Sequence, residues 1–390
     1  MSYIATVDIE ATIYENGHPF SSSNSCCCVG IYTSSPVGGR TWHYFDLVRD
    51  TDPFSNSYEQ IRELLEGAIL VCGFNLKFDL NWLSRILGKP LNLKAVWDCQ
   101  LVEYILSDQT WVMPSLKDAL LLRGLPPKNE HIAENYWNLG INTDQVPPAI
   151  LEERNRDDCE TTFKLYQLQT TLVPANQRAL VALCNDDLLC FQEMEFNGLL
   201  YDREGSERRG KELQIEYDRL CQDLSTRFAD GHPINWASGD HVSAVLYGGS
   251  AHFRIREMVT KTFKAGPKEV ERWGTKEVQF PGIVPPLEGT ECKKHGYFKL
   301  NDGILRSLRP TTAPGRDLIE GLQQLADMEK QIGTYYFGLP ELMTHLQWDA
   351  GVIHGTFNQC VTRTGRSSSS RPNLQNFDGR IKSLFRSRYD

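Results

Sequence analysis

The apolar and polar residues of the first 170 positions repeat with two different periods, one typical of strands and the other of helices. Short apolar runs bounded by turn residues predict strands at Tyr3–Ile9, Cys26–Thr33, Thr41–Leu47 and Ala68–Phe74. Helical spacing predicts helices at Glu59–Gly67, Phe78–Leu87 and Leu151–Leu172. Strands and helices that alternate in this way indicate an α/β domain.

The remainder of the chain, from about Ala175, has mostly helical spacing. Between Arg316 and Tyr336 an apolar stripe recurs at helical intervals and is formed by Leu318, Leu322, Leu325, Met328 and Ile332. We interpret this stripe as the buried side of a helix. After Trp348 the pattern predicts strand structure through Gly351–Thr364.

An insertion rich in Pro, Gly and Lys interrupts the helical region at Phe263–Asn301. Its composition predicts a loop-rich excursion from a helical domain. The lysines in and around it are Lys264, Lys268, Lys293, Lys294 and Lys299. Two interpretations stay open, a solvated surface loop or a contact with DNA or an accessory protein.

Composition narrows the class of protein. No apolar run approaches the roughly 20 residues of a membrane span, so we expect no membrane partner. The 11 Cys lack the spacing of a zinc site or a disulfide framework, which indicates buried thiols in a reducing, cytoplasmic compartment. A net charge of −9 argues against a simple nucleic-acid coat, but it permits an enzyme with an acidic metal site and a separate basic surface.

The last thirty residues differ in charge from the rest of the chain. Between Val361 and Asp390, Lys and Arg outnumber Asp by seven to two. Ser, Thr, Asn and Gln fill the spaces between the cations. This mixture suits contacts with phosphate and sugar, and it offers little apolar surface for a core.

Three acidic groups in the first domain each lie at the edge of a predicted element. Asp8 and Glu10 end the first strand, where positions i and i+2 share one face and can bind the same cation. Asp79 lies in the first turns of the helix that follows Gly73, and Asp158 lies on the long helix Leu151–Leu172. Carboxylate oxygens are the ligands that Mg²⁺ prefers.

In this order the three groups resemble the DEDD family of 3′→5′ exonucleases, and Trp97-Asp98 with Tyr104-Ile105-Leu106 adds to the match. The resemblance implies a ribonuclease H-like α/β domain, a mixed sheet with flanking helices, over residues 1–172. It implies two divalent cations, Mg²⁺ or Mn²⁺. Asp8 would bridge them, Glu10 and Asp158 would bind one, and Asp79 would hold the other, partly through water.

Arg154 departs from that family's pattern, which usually has a Tyr four residues before the last Asp or a His five before it. Here those positions hold Arg154 and Glu153. An Arg stays protonated and cannot act as a base. Three alternatives stay open: another residue supplies the function, the exonuclease is slow, or it is inactive. Asp157 as the ligand in place of Asp158 would not restore the pattern.

Several later segments resemble family A DNA polymerases. Glu195–Asp202 resembles the turn that opens the polymerase region, and Lys330–Tyr335 resembles a thumb motif that follows the DNA minor groove. Thr362–Asn376 closely resembles the signature that lines the primer–template duplex. The resemblance implies a mainly helical thumb at 173–350 and the start of a palm at 351–390. The DNA contacts it implies are Arg363, Arg366, Ser368, Ser369, Asn373, Gln375, Asn376, Lys330, Thr334 and Tyr335.

We therefore expect the N-terminal subunit of a split, phage-encoded family A polymerase, located in the host cytoplasm. It would bind primer–template DNA and single-stranded 3′ ends, and a second polypeptide would complete the palm and fingers. The metal-binding residues of polymerisation have no match in the 390 residues, so we expect synthesis to require that second chain. Two alternatives stay open: a DNA-binding scaffold with an impaired exonuclease, or a truncated single-chain polymerase.

Overall fold

The computed structural model describes residues 2–35, 39–50, 55–127, 131–263, 266–294, 296–348 and 351–389. They divide into two compact units, one formed by Met1–Arg203 with Glu341–Asp390 and the other by Glu204–Pro340. The domain bounds inferred from the sequence, 1–172, 173–350 and 351–390, stay a prediction, because compactness alone does not define a functional domain.

The first unit is built on a five-stranded sheet. Its strands are β1 (Ile4–Ala11), β2 (Cys26–Ser34), β3 (Arg40–Asp46), β4 (Leu70–Gly73) and β5 (Val96–Asp98), and their order in the sheet is β3-β2-β1-β4-β5. Strand β1 is central, antiparallel to β2 and parallel to β4. Most of its residues are apolar and buried, and its two acidic residues, Asp8 and Glu10, lie toward its C-terminal, polar end. The predicted strands are confirmed within a few residues.

Helices cover this sheet and contribute to its hydrophobic core. They are α1 (Ser57–Gly67), α2 (Leu76–Leu87), α3 (Cys99–Leu106), α4 (Leu116–Leu122), α5 (His131–Asn135), α6 (Pro148–Leu172) and α7 (Arg178–Asn197). Helix α6 packs against β1 and β2, with Leu151, Cys159 and Leu165 fully buried. This packing places the middle of α6 beside the polar end of β1.

The second unit has its own apolar core. Its elements are α8 (Arg203–Phe228), α9 (Gly239–Tyr247), β7 (Gly249–Phe263), β8 (Gly266–Phe280), α10 (Asp302–Ser307), α11 (Ala313–Lys330) and a π-helix (Gln331–Phe337), and α12 (Gly338–His345) follows. Leu318, Leu322 and Leu325 are buried, which confirms the predicted stripe. Within the described ranges, no helix has the length and apolar character needed to cross a bilayer.

The insertion at Phe263–Asn301 differs from its predicted structure. The loop-rich prediction for Phe263–Asn301 is wrong for residues 266–280, which form β8 and pair with β7 along their whole length. The content of Pro, Gly and Lys predicted a loop, but charged residues of β7 and β8 pair across the ladder. Arg256 lies 3.0 Å from Glu271, and Arg272 lies 2.9 Å from Glu257. Lys264 lies outside the described residues, Lys268 is on β8, and Lys293, Lys294 and Lys299 follow the hairpin.

The C-terminal segment folds onto the first unit. Its elements are β9 (Val352–Ile353), β10 (Thr356–Asn358), β11 (Ser368–Ser370), α13 (Gly379–Lys382) and β12 (Phe385–Arg386), and β6 (Leu199–Tyr201) pairs with β9 and β12. The strand structure predicted through Gly351–Thr364 is therefore confirmed for β9 and β10 alone, and it is wrong for residues 359–364, which lie in neither strand. The Cys360 carbonyl accepts the Met113 N–H at 2.9 Å, and the Thr362 carbonyl accepts the Tyr104 hydroxyl.

Candidate nuclease centre and DNA-contact loop

Three of the four predicted metal ligands converge at the polar end of β1. Asp8 and Glu10 occupy one face of this strand, and Asp158 faces them from α6. The ligand oxygens of these three carboxylates all lie within 4.8 Å of one another. Glu10 and Asp158 are buried, whereas Asp8 is half-buried. The fold therefore brings these three predicted ligands into one cluster, hereafter the acidic cluster.

Asp79, the fourth predicted ligand, lies beside the acidic cluster on α2. Its Oδ1 accepts the backbone N–H of Ile9 at 3.1 Å, so it adjoins the strand between Asp8 and Glu10. Burial raises the pKa of Asp79 well above its ordinary value, and the negative charges of Asp8 and Asp98 raise it further. An added positive charge would favour its ionised form.

Asp98 fixes the turn that leads to Asp79. Its carboxylate accepts the N–H groups of Asn75 at 3.0 Å, Leu76 at 3.0 Å and Gln100 at 2.8 Å. It thereby caps α3 and holds the first residues of α2, where Asn75 adopts a left-handed conformation. Burial raises the pKa of Asp98 to about 6, although these N–H donors oppose the shift. Asp98 thus positions the helix that carries Asp79.

Asn155 is a site residue that the sequence reasoning missed. Its Nδ2 donates to Asp8 Oδ2 at 2.7 Å and to the Asp8 carbonyl at 3.0 Å. Gly30 lies opposite Asp8 in the β-ladder, and a Cβ on Gly30 would lie 1.6 Å from Asn155 Oδ1. The i,i+3 spacing of Asn155 and Asp158 was the signal that could have found it, because such residues share a helix face.

Replacing Gly30 with Ala is expected to lower the free energy of unfolding by about 1–3 kcal/mol, because the new methyl group would displace Asn155 in a packed interior. Urea unfolding followed by circular dichroism measures the change. Gly39→Ala is the matched control, since a Cβ there meets nothing within 4 Å. An unfolding midpoint of Gly30→Ala equal to that of the control would contradict the close approach.

Arg154 lies between two carboxylates of the acidic cluster. Its Nε donates to Glu10 Oε1, and its Nη2 lies 3.6 Å from Asp158 Oδ2. The guanidinium also lies 4.9 Å from the centroid of the Trp137 ring. Burial acts to lower the pKa of Arg154, but Glu10 and Asp158 raise it more, so the net shift is upward. The side chain therefore stays a cation.

The donor set of the acidic cluster fits a hard divalent cation. Its groups are carboxylate oxygens, and with bonds of about 2.1 Å the oxygens around one Mg²⁺ lie roughly 3–4 Å apart. The spacing in the cluster needs only a small contraction to reach that value. The absent Cβ of Gly30 leaves room for Asn155 to hold Asp8 at this spacing. The residues present therefore suit the metal that the sequence predicted.

The predicted DNA-contact loop joins β10 to β11 and continues to residue 376. Most of its predicted contact residues are exposed, namely Arg363, Arg366, Asn373, Gln375 and Asn376, and Ser368 is half-exposed. Ser369 differs because it is buried, with its hydroxyl donating to the Pro372 carbonyl and accepting the Leu374 N–H, both at 3.2 Å. Ser369 thus supports the loop from inside, and a direct contact with DNA would require the loop to open.

The predicted thumb contacts lie in the second unit. Lys330 is the last residue of α11 and is exposed, and Thr334 is exposed on the π-helix. Tyr335 is buried, so its ring belongs to the packing of this unit. The motif therefore presents Lys330 and Thr334 to solvent, whereas a contact from Tyr335 is not available at the surface of this structure.

The C-terminal part of the chain matches a known sequence family. The sequence model of DNA polymerase family A matches residues 254–389. The DNA polymerase of Bacillus phage SP01 is 24% identical over 407 aligned positions, which cover 97% of this chain and 42% of the phage protein. DNA polymerase I of Chloroflexus aurantiacus is 25% identical, covering 84% of this chain and 29% of its own length. The chain thus spans less than half the length of these curated relatives.

A solved structure has a similar fold. It is described as the POL domain of Pol1 from M. smegmatis in complex with DNA primer-template and dNTP. The match has a TM-score of 0.63 and 18% sequence identity, and it covers 98% of this chain and 55% of the other. At this identity the likeness shows the fold alone, which consists of mixed sheets with helices.

Proposed function

We propose that this chain, which carries a DNA polymerase family A region at residues 254–389, binds primer–template DNA and removes nucleotides from DNA 3′ ends at its acidic cluster. The observation that carries the nuclease assignment is the convergence of Asp8, Glu10 and Asp158 within 4.8 Å. Asp79 borders this group, as the fourth acid of such a centre would. These acids come from three elements, β1, α2 and α6, so the cluster is a product of the fold.

Phosphodiester hydrolysis explains these residue types. Two divalent cations, Mg²⁺ or Mn²⁺, would supply a water activated at neutral pH and a positive charge beside the leaving 3′ oxygen. Asp8 would help to hold both ions, Glu10 and Asp158 one of them, and Asp79 the other. Asn155 keeps Asp8 in place through its hydrogen bonds, and Asp98 keeps α2 in place. Arg154 cannot accept a proton from water, so no base is assigned to it.

The architecture supports this assignment. A central strand that is antiparallel to β2 and parallel to β4, with helices on the sheet, is consistent with a ribonuclease H-like exonuclease unit. The helices and hairpin of the second unit would be a polymerase thumb, and residues 351–389 would begin a palm. The exposed Arg363 and Arg366 would contact the DNA backbone. Contacts between cationic side chains and phosphates supply a large share of the affinity of proteins for DNA.

The purified chain is expected to shorten a 5′-labelled single strand from its 3′ end in Mg²⁺ or Mn²⁺ and to stop when a chelator is added. A gel that resolves single nucleotides shows the direction, because a 3′→5′ enzyme gives a descending ladder of labelled products. A matched strand with a blocked 3′ end is the control. Absence of digestion with both metals, in protein that binds primer–template by fluorescence anisotropy, would contradict the nuclease assignment.

A primer-extension assay tests the prediction that polymerisation requires a second polypeptide. Nucleotide incorporation by this chain is measured with and without the protein segment encoded immediately downstream. Synthesis that requires the added segment would support the two-chain proposal, and synthesis by this chain alone would refute it.

A DNA-binding scaffold with an inactive nuclease is the second candidate, and the position of Arg154 favours it. The guanidinium already occupies the space beside Glu10 and Asp158. Binding of primer–template without digestion in either metal would support this candidate.

A further inference from the structure

We propose that Arg154 is a built-in cation that competes with a divalent metal ion for Glu10 and Asp158. This inference rests on the proposed nuclease function, since it assigns a control element to the same acidic cluster. In the metal-free protein Arg154 would offset part of the negative charge of the two carboxylates, and it would have to withdraw from at least one of them when an ion binds.

The geometry holds the guanidinium in place from several directions. Arg154 and Asp158 are one helical turn apart on α6, and Glu10 approaches from β1. The Trp137 ring lies against the guanidinium. Arg154 is only 7% exposed and Glu10 only 6%, so water screens this contact poorly. A solvated surface arginine would have none of these constraints.

Electrostatics explains why a cation is needed there. Carboxylates with oxygens within 4.8 Å of one another repel when they are ionised in a buried setting. One guanidinium offsets part of this repulsion, and it does so at every working pH because Arg does not deprotonate. A divalent metal ion at the same oxygens would add two positive charges close to that of the guanidinium. The two cations therefore exclude each other in part.

A purely structural ion pair predicts a different result. If Arg154 only ties α6 to β1, its removal would lower stability and leave metal affinity unchanged or weaker. If it competes with metal, its removal would lower the stability of the metal-free protein and raise metal affinity. Metal affinity therefore separates the two roles, without any measurement of nuclease activity.

The test is a titration with Mn²⁺, with free ion measured by electron paramagnetic resonance and thermal unfolding recorded in parallel. Arg154→Gln is expected to bind Mn²⁺ at least tenfold more tightly than the unaltered chain. Its melting temperature without metal is expected to fall by several degrees, and Mn²⁺ is expected to raise it by more than it raises that of the unaltered chain. Arg154→Lys, which retains the charge, is expected to keep the weaker affinity.

Arg156→Gln is the matched control, because Arg156 lies on the same helix and is exposed against the Trp42 ring. It is expected to leave Mn²⁺ affinity unchanged.

Trp137→Leu provides a second variant if Arg154→Gln fails to fold, since it removes the aromatic face behind the guanidinium and keeps every carboxylate. It is expected to raise Mn²⁺ affinity several-fold.

The proposal is overturned if Arg154→Gln binds Mn²⁺ within twofold of the unaltered chain, or if Arg154→Lys binds as tightly as Arg154→Gln. Should Arg154→Gln fail to fold, unchanged affinity in Trp137→Leu overturns it. Either result beside metal-dependent digestion of DNA would remove this inference and leave the nuclease assignment standing. If Asp8→Ala does not weaken Mn²⁺ binding in either background, both fail, because the ion is then bound elsewhere.

Discussion

Replacing Asp8 with Ala is expected to lower the rate of 3′ nucleotide removal on the order of 10³-fold or more, the scale of loss when a catalytic group is removed. Asp8 lies between the other acids, within 4.8 Å of Glu10 and Asp158 and close enough to Asp79 to raise its pKa. Its removal would deprive both proposed ions of a shared ligand. The measurement is single-turnover digestion of a 5′-labelled strand in Mg²⁺.

The loss in Asp8→Ala is expected without unfolding. Removing one member of a repulsive carboxylate group relieves strain in the metal-free protein, and Asn155 still donates to the backbone carbonyl of residue 8. An unchanged melting temperature would show that the fold is intact. Asp157→Ala is the matched control, because Asp157 adjoins Asp158 on α6 and was the other acid considered as the ligand. Digestion that continues in Asp8→Ala, or that is lost to the same degree in Asp157→Ala, would contradict the assignment of the acidic cluster as the nuclease centre.

Replacing Glu195 with Ala is expected to lower the free energy of unfolding by about 3–5 kcal/mol, because it leaves the half-buried charge of Lys77 without its carboxylate partner. The Glu195 carboxylate accepts from Lys77 Nζ, from Asn81 Nδ2 at 2.6 Å and from the Phe357 N–H at 2.6 Å. It therefore connects α2 and α7 to β10. The melting temperature of the Glu195→Ala variant is expected to be about 10 °C lower than that of the unaltered chain.

Glu195→Ala is also expected to weaken primer–template binding, since β10 leads into the DNA-contact loop. Thermal unfolding and fluorescence anisotropy with a labelled duplex measure the two effects. Glu193→Ala is the matched control, because Glu193 is the same residue type on the same helix and is exposed. Equal melting temperatures for the two variants would show that the Glu195 network does not stabilise this part of the fold.

The acidic cluster could be anticipated because its geometry follows from local periodicity. Asp8 and Glu10 share a strand face at i and i+2, and α6 was recognisable as a helix from its apolar residues. The contacts that hold the cluster were not predictable in the same way. The pairing of Gly30 with Asp8 and the approach of Asn155 depend on the register between β1 and β2 and on the position of α6 above them.

Arg154 shows a different limit of sequence reasoning. In the sequence, Arg154 stands where the exonuclease family that the chain resembles usually has a Tyr, and this raised the question of a missing base. That the same guanidinium binds Glu10 follows only from the fold, because 144 positions separate the two residues. Long-range charge pairing leaves no periodic signal in a single sequence.

The loop prediction for Phe263–Asn301 failed at β8 because it rested on composition. The content of Pro, Gly and Lys predicted a loop-rich excursion, and β8 lacks the apolar face that normally marks a strand. Cross-strand ion pairs and the regular ladder stabilise the hairpin in place of such a face. Whether it contacts DNA or an accessory protein stays a prediction, which the exposed Trp273 and its neighbouring arginines make accessible to substitution.

The hydrogen bonds from Tyr104 and Met113 to residues 360–362 have a consequence for how this chain can be divided. Cys360 is part of the apolar core of the sheet unit, although some 190 positions separate it from the end of α6. A fragment that stops at residue 172 would lack these contacts and would expose the surface that α7 and Cys360 cover. The fold therefore opposes the excision of residues 1–172 as an independent fragment, because residues 351–389 contribute to the same folded unit as the sheet.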